Sequence, residues 1–72
     1  MTEISEAAVE RMLKKAGAER AGDDAVKAMQ EILENVAVKI GTQAVTLAKH
    51  AKRKTVRAED VELAAKQLQG SE

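Results

Sequence analysis

The sequence predicts an all-α fold of three helices: a short one, a long central one and a short third. Three observations carry this. There is no proline to interrupt a helix, and the helix formers Ala, Glu, Lys and Leu are abundant. Apolar residues recur in steps of three and four. The breaks fall at Gly17, at Gly22 and in the Lys52–Val56 region, which leaves one segment of unusual length.

The first helix is expected from about Ser5 to Ala16. Ser5 suits the N-cap, and Glu6 lies at the positive end of the helix dipole. Val9, Met12, Leu13 and Ala16 share one face. Gly17 interrupts the helix, and Gly22 closes a short loop, A-G-A-E-R-A-G. The second helix begins near Asp23 and Asp24, again acids at a helix start. Its stripe is Ala25, Met29, Ile32, Leu33, Val36, Ile40, Ala44, Leu47, Ala48 and Ala51. Gly41 weakens the middle by about 1 kcal/mol relative to Ala without ending it. A continuous helix here has 29 residues, which at 1.5 Å each is about 43 Å. The third helix runs from about Ala58 to Gln69, with Glu59, Asp60 and Glu62 in its first turns. Val61, Ala64, Ala65 and Leu68 form its stripe. Leu63 falls off that stripe, and Leu47 and His50 lie one turn apart near the end of the long helix. These three fit either ordinary edge positions or a second, smaller interface.

The long helix constrains assembly. Residues 1–72 are read as a single domain without extended tails. A compact chain of this length has a radius of gyration of about 11 Å and a diameter of about 29 Å, shorter than the helix. Two flanking helices of about a dozen residues cannot cover such a rod. A second copy, its long helix crossing the first, is the simplest solution. There is no Cys and no aromatic residue, so the core relies on Ala, Val, Leu, Ile and Met with no disulfide to reinforce it. A domain this small needs staples or partners, and staples are lacking. One His without Cys forms no zinc site, and no cofactor is expected. No apolar run approaches the ~20 residues that span a membrane. The start, M-T-E-I-S-E, lacks an apolar signal core, so a cytoplasmic protein is expected.

The zero net charge hides a segregation. Residues 1–35 carry five cations and eight acids, and residues 59–72 one cation and four acids. Residues 36–58 carry Lys39, Lys49, Lys52, Arg53, Lys54 and Arg57 with no acid at all. Such asymmetry points to an anionic partner. No Ser, Cys or second acid is arranged around His50 as a catalytic constellation, and no phosphate loop or metal motif occurs, so an enzyme is not expected. The lack of aromatics argues against a reader of single strands or RNA.

The order of helices and the motifs K-A-G-A-E-R and L-A-K-H-A-K-R-K-T-V-R-A-E-D-V-E-L-A resemble the archaeal histones, of the histone-fold family. The resemblance covers roughly Val9 to Leu68. It implies a handshake homodimer with crossed long helices, assembly of dimers into tetramers or higher oligomers, and double-stranded DNA wrapped around the outside in nucleosome-like chromatin. It also allows a heterodimer with another histone, and implies association with chromosomal DNA in a nucleoid. Residue by residue, Arg20 matches the arginine that enters the minor groove. Lys54 and Thr55 match the second-loop pair, with Thr55 helping to hold the partner's arginine. Arg11 matches a first-helix arginine at the centre of the DNA face, assisted by Lys14. Lys52 and Arg57 support the field. Arg53 and Asp60 match a clamp of the second loop to the third helix, where a solvated cation is the simpler alternative. Leu47, His50, Asp60 and Leu63 match the dimer–dimer bundle. Gly17 is a plain helix terminator or, by the resemblance, a small residue that allows close packing between dimers.

Physical chemistry agrees with wrapping. It needs cations at intervals, backbone amides at helix starts and no base code. Counterion release makes such binding weaken steeply with salt. Departures from the family pattern limit the expectation. No proline precedes the first helix, Glu10 adjoins Arg11, and Gly22 stands where a polar residue is frequent. Glu31 and Glu62 are both acidic and Lys15 and Lys49 both basic, so the comparable surfaces are less complementary than those that stack in the family, and extended stacking of layers is left open. The alternative function is a histone-fold interaction subunit of a transcription-related complex with weak DNA binding.

Overall fold

A computed structural model describes residues 2–69 and contains three α-helices in the expected order: α1 Glu6–Lys15, α2 Asp23–His50 and α3 Ala58–Gln69. Residues 1 and 70–72, which the expected 1–72 domain includes, lie outside the described residues. No strand occurs among the described residues.

Each helix end follows from its capping residues. Ser5 has extended backbone, and its Oγ accepts from the Ala8 N–H at 3.1 Å, which satisfies one orphan donor of α1. At the other end, the Ala18 N–H donates to the Leu13 carbonyl and the Gly17 N–H to the Lys14 carbonyl, both at 3.0 Å. This paired closure turns the backbone left-handed at Gly17, where φ is +112°. Glycine alone takes that conformation without a steric penalty. At α2, the Gly22 carbonyl accepts from the Val26 N–H at 3.0 Å, and Asp24 Oδ1 accepts from the Ala25 N–H at 2.8 Å. The 28-residue helix runs unbroken through Gly41, about 42 Å at 1.5 Å per residue. Thr42 and Thr46 satisfy their hydroxyls by donating to carbonyls four residues back, Val38 at 2.8 Å and Thr42 at 3.2 Å.

The chain forms two compact units, Met1–Val36 and Ala37–Glu72. In the first, α1 packs on the early turns of α2, with Val9 and Val26 buried. The segment before α1 is tied down by Gln30 Nε2, which donates to the Ile4 carbonyl at 2.7 Å. The Glu3 N–H donates to Glu34 Oε1 at 2.9 Å. In the second unit, the later turns of α2 pack on α3 over Ala44, Ala48 and Ala64. Gln43 Nε2 donates to Gln67 Oε1 at 2.8 Å across this pair.

The stripe expected on α2 needs one correction. Val26, not Ala25, is the buried residue of the first turn. The early stripe is really two. Val26, Met29, Leu33 and Ile40 are buried or half-buried, while Ala25, Ile32 and Val36 one step round the helix are exposed. Ile32 is 57% exposed and Val36 38%. The same division recurs on the short helices. Met12 and Ala16 are open beside buried Val9, and Val61 is open beside buried Ala64. The fully buried apolar residues among those described are valines and alanines only. One chain therefore covers one edge of its apolar surface and leaves several large side chains, Met12, Ile32, Val36 and Val61 among them, exposed.

Candidate nucleic-acid interface

The acid-free stretch becomes the last turns of α2, a loop and the start of α3. α2 ends as α1 does. The Arg53 N–H donates to the Ala48 carbonyl and the Lys52 N–H to the Lys49 carbonyl, both at 2.9 Å. The residue turned left-handed here is Lys52, with φ +60°.

Arg53 and Asp60 come together as expected, and the site is fuller than the pair alone. Arg53 Nη2 donates to Asp60 Oδ1 and Nη1 to Asp60 Oδ2, each at 2.9 Å. This is the bidentate geometry in which arginine and carboxylate bind best. Arg53 Nη1 also donates to the Thr55 carbonyl at 3.0 Å. The Arg57 N–H donates to Asp60 Oδ2 at 2.8 Å, while the Asp60 N–H donates to the Arg57 carbonyl at 3.0 Å. Asp60 thus reaches back to the residue that caps α3, the acidic half of a capping box. It is only 5% exposed. Arg53 holds its carboxyl down to about 2 from the ordinary 3.8, helped by the Arg57 backbone N–H and by the charges of both arginines. The same pairing with Asp60 raises the Arg53 guanidinium.

Two members of this cluster enter through main-chain atoms, the Thr55 carbonyl and the Arg57 N–H, and reading side chains alone misses them. The three-residue spacing from Arg57 to Asp60 was the available signal. Glu59 was also missed: it lies 3.9 Å from Arg53 Nη2 and 4.0 Å from Arg57 Nη1. Arg57 and Glu59 are both largely exposed, so that contact contributes little. Asp60 already accepts three hydrogen bonds, of about four that a carboxylate can take.

The cations therefore divide. Arg53 is occupied within the chain and Arg57 is partly compensated. Lys49, Lys52 and Lys54 are exposed and have no ion pair among the described residues. Thr55 is exposed beside them. The first unit holds Arg11 and Lys14, which line an open groove on α1 with Ala8, Met12 and Lys15. It also holds exposed Arg20 in the first loop and Gly17 at the end of α1. A side chain added at Gly17 meets nothing of its own chain within 4 Å, so within one chain conformation rather than space selects glycine there. In the second unit Leu47 is half-buried, whereas His50 and Leu63 are exposed. His50 borders a shallow hollow with Thr46 and Lys49. No group of three or more His, Cys, Asp or Glu able to hold a metal ion occurs among the described residues. Among those residues, no helix is long and apolar enough to cross a membrane.

Residues 2–65 match the family model described as histone-like transcription factor (CBF/NF-Y) and archaeal histone. The chain is 52% identical over 66 residues to a subunit of the archaeal histone HAN1 of Thermococcus zilligii, covering 92% of this chain and 98% of that one. It is also 52% identical over 64 residues to probable archaeal histone 3 of Methanocaldococcus jannaschii, covering 89% and 96%.

Proposed function

The chain belongs to the histone-fold family of archaeal histones and histone-like transcription factors, a DNA-binding and non-enzymatic class, and from that premise we propose how it works. Two copies form a handshake dimer through the open stripes of the helices, with the Ala25–Ile32–Val36 edge of α2 at its heart. Dimers join into tetramers or higher oligomers through Leu47, His50, Asp60 and Leu63. Duplex DNA is wrapped on the outside and compacted, in association with the chromosome in the cytoplasm. Another histone can replace the second copy.

The observation that carries the DNA contact is the uncompensated charge of the second loop. Lys52 and Lys54 face solvent with no acid to meet, in a segment free of acids from residue 36 to 58. Arg20, with Lys54 and Thr55 of the partner copy, forms one phosphate-binding unit, and Arg11 and Lys14 form another at the dimer centre. Arg57 adds to the field. Arg53 and Asp60 do not touch DNA; they hold the loop that does. Gly17 keeps the end of α1 slim where successive dimers meet. The contacts are to the backbone, so preference among sequences follows ease of bending and minor-groove width.

Binding to a mixed-sequence duplex across a salt series tests this. Wild type weakens steeply with salt, and Arg20→Ala reduces the slope of log affinity against log salt by about 1 for each arginine removed. Weak binding by both proteins, with equal slopes, is the outcome expected of an interaction subunit of a transcription-related complex instead.

A further inference from the structure

Val38 is the most exposed large apolar residue among those described, at 61%, and Val45 is 41% exposed. Neither lies on the edge assigned to the handshake. On a helix, Val38 stands about 200° round from Val36, and Val45 about 180°. A helix that covers Ile32 and Val36 therefore leaves both valines open. Thr42 and Thr46 join them at steps of three and four, which places all four side chains on one strip of α2. Both threonines are exposed, and their hydroxyls already donate to the Val38 and Thr42 carbonyls. The strip thus offers no free side-chain donor, whereas the open face of a helix is ordinarily charged or polar. All four residues are β-branched and stiff at χ1, so covering them costs little side-chain entropy.

The charge at its margins selects what covers it. Lys39 lies one turn before Thr42, and Lys49 one turn after Val45. Both are exposed, and neither has an ion pair among the described residues. No acid occurs from residue 36 to 58. The nearest acid along α2, Glu34, already accepts from the Glu3 N–H. A second copy laid on the same strip brings lysines against lysines, with no acid from that segment to meet them. Duplex DNA meets the lysines but sets phosphate and water against the valines. An occupant that suits both carries aliphatic side chains between carboxylates. We propose that Val38, Thr42, Val45 and Thr46 form a docking face for an acidic amphipathic helix of another protein. Its aliphatic stripe covers the valines, and its carboxylates meet Lys39 and Lys49, which steers the encounter and sets its register. The face stands apart from the residues assigned to DNA and does not depend on that reading.

Methyl NMR of the full chain tests this, with a synthetic peptide as probe: about four helical turns, leucines on one face and glutamates elsewhere. The Val38 and Val45 methyl resonances are expected to shift and saturate, while that of Met12 stays in place. A control peptide with lysine for glutamate is expected to bind about tenfold more weakly or worse. The double variant Val38→Ser, Val45→Ser is expected to lose about tenfold in affinity for the acidic peptide, with melting and duplex binding as in wild type. Shifts at Met12 without shifts at the valines, or equal binding of the two peptides, overturn the proposal. Valine shifts that grow with protein concentration alone overturn it and assign the strip to a second copy. Saturating valine shifts on adding a mixed-sequence duplex, with none on adding the peptide, overturn it and assign the strip to DNA. A lower melting temperature in the double variant shows the strip to be covered within the assembly, and also overturns it.

Discussion

Asp60→Asn is expected to lower the melting temperature by more than about 10 °C at neutral pH. The asparagine keeps the shape but loses the charge that faces Arg53. It also presents one oxygen and one amide where two oxygens accept three hydrogen bonds. The guanidinium is then left half-covered without its counter-ion, and removing one partner of a buried pair costs far more than the pair contributes. The Arg57 N–H at the start of α3 loses an acceptor whenever the amide group turns toward it. Arg53→Lys is expected to fall between, because an ammonium cannot make the two parallel bonds.

The pH dependence has a definite sign. Asp60 titrates at about 2 in the folded chain, below its ordinary 3.8. Folding therefore favours the ionised form. The clamp's contribution is fully present above the ordinary value and is lost as pH falls through about 2. Melting curves of wild type and Asp60→Asn, taken at one protein concentration, should converge across that window and stay parallel above it. Convergence at neutral pH instead would show that the pair contributes no stability.

The second large effect concerns α2. Ile32→Asp is expected to convert a dimer into unfolded or aggregated monomer. In the single chain Ile32 is 57% exposed, and a charge placed on an open surface changes stability by no more than about 0.5 kcal/mol. If a second copy covers Ile32, the same carboxylate is buried without a partner and costs several kcal/mol. The two cases differ by an order of magnitude at one atom. Sedimentation equilibrium with thermal melting reads the answer. A dimeric wild type and a variant with neither dimer nor cooperative melting support the handshake. A variant that melts like wild type rules out that edge of α2 as the interface. Because folding and pairing are linked, the wild-type melting point should also rise with protein concentration.

The helices were legible because their ends carry specific chemistry. Ser5 caps α1, Gly17 turns it off, and Asp23 and Asp24 mark the start of α2. Periodicity was less reliable inside α2. Ala25 and Val26 are both apolar, and only packing decides that the larger one goes inward. The width of that stripe was itself the message, since one chain fills half of it. In the candidate site, the Arg53–Asp60 spacing permits a clamp without requiring it, so resemblance had to supply the pairing. The Thr55 carbonyl and Arg57 N–H act through the main chain, where side-chain identity says little. Nothing in the sequence distinguishes Lys52 from its basic neighbours, because its distinction is a backbone angle.

On the reading proposed above, dimers of this chain assemble on duplex DNA and wrap it. Nuclease digestion of long duplex DNA at increasing protein concentration separates wrapping from simple coating. Wrapping predicts discrete protected fragments that lengthen in regular steps as dimers are added, and that disappear at high salt. A continuous smear at every concentration, with the protein dimeric and folded, would contradict it.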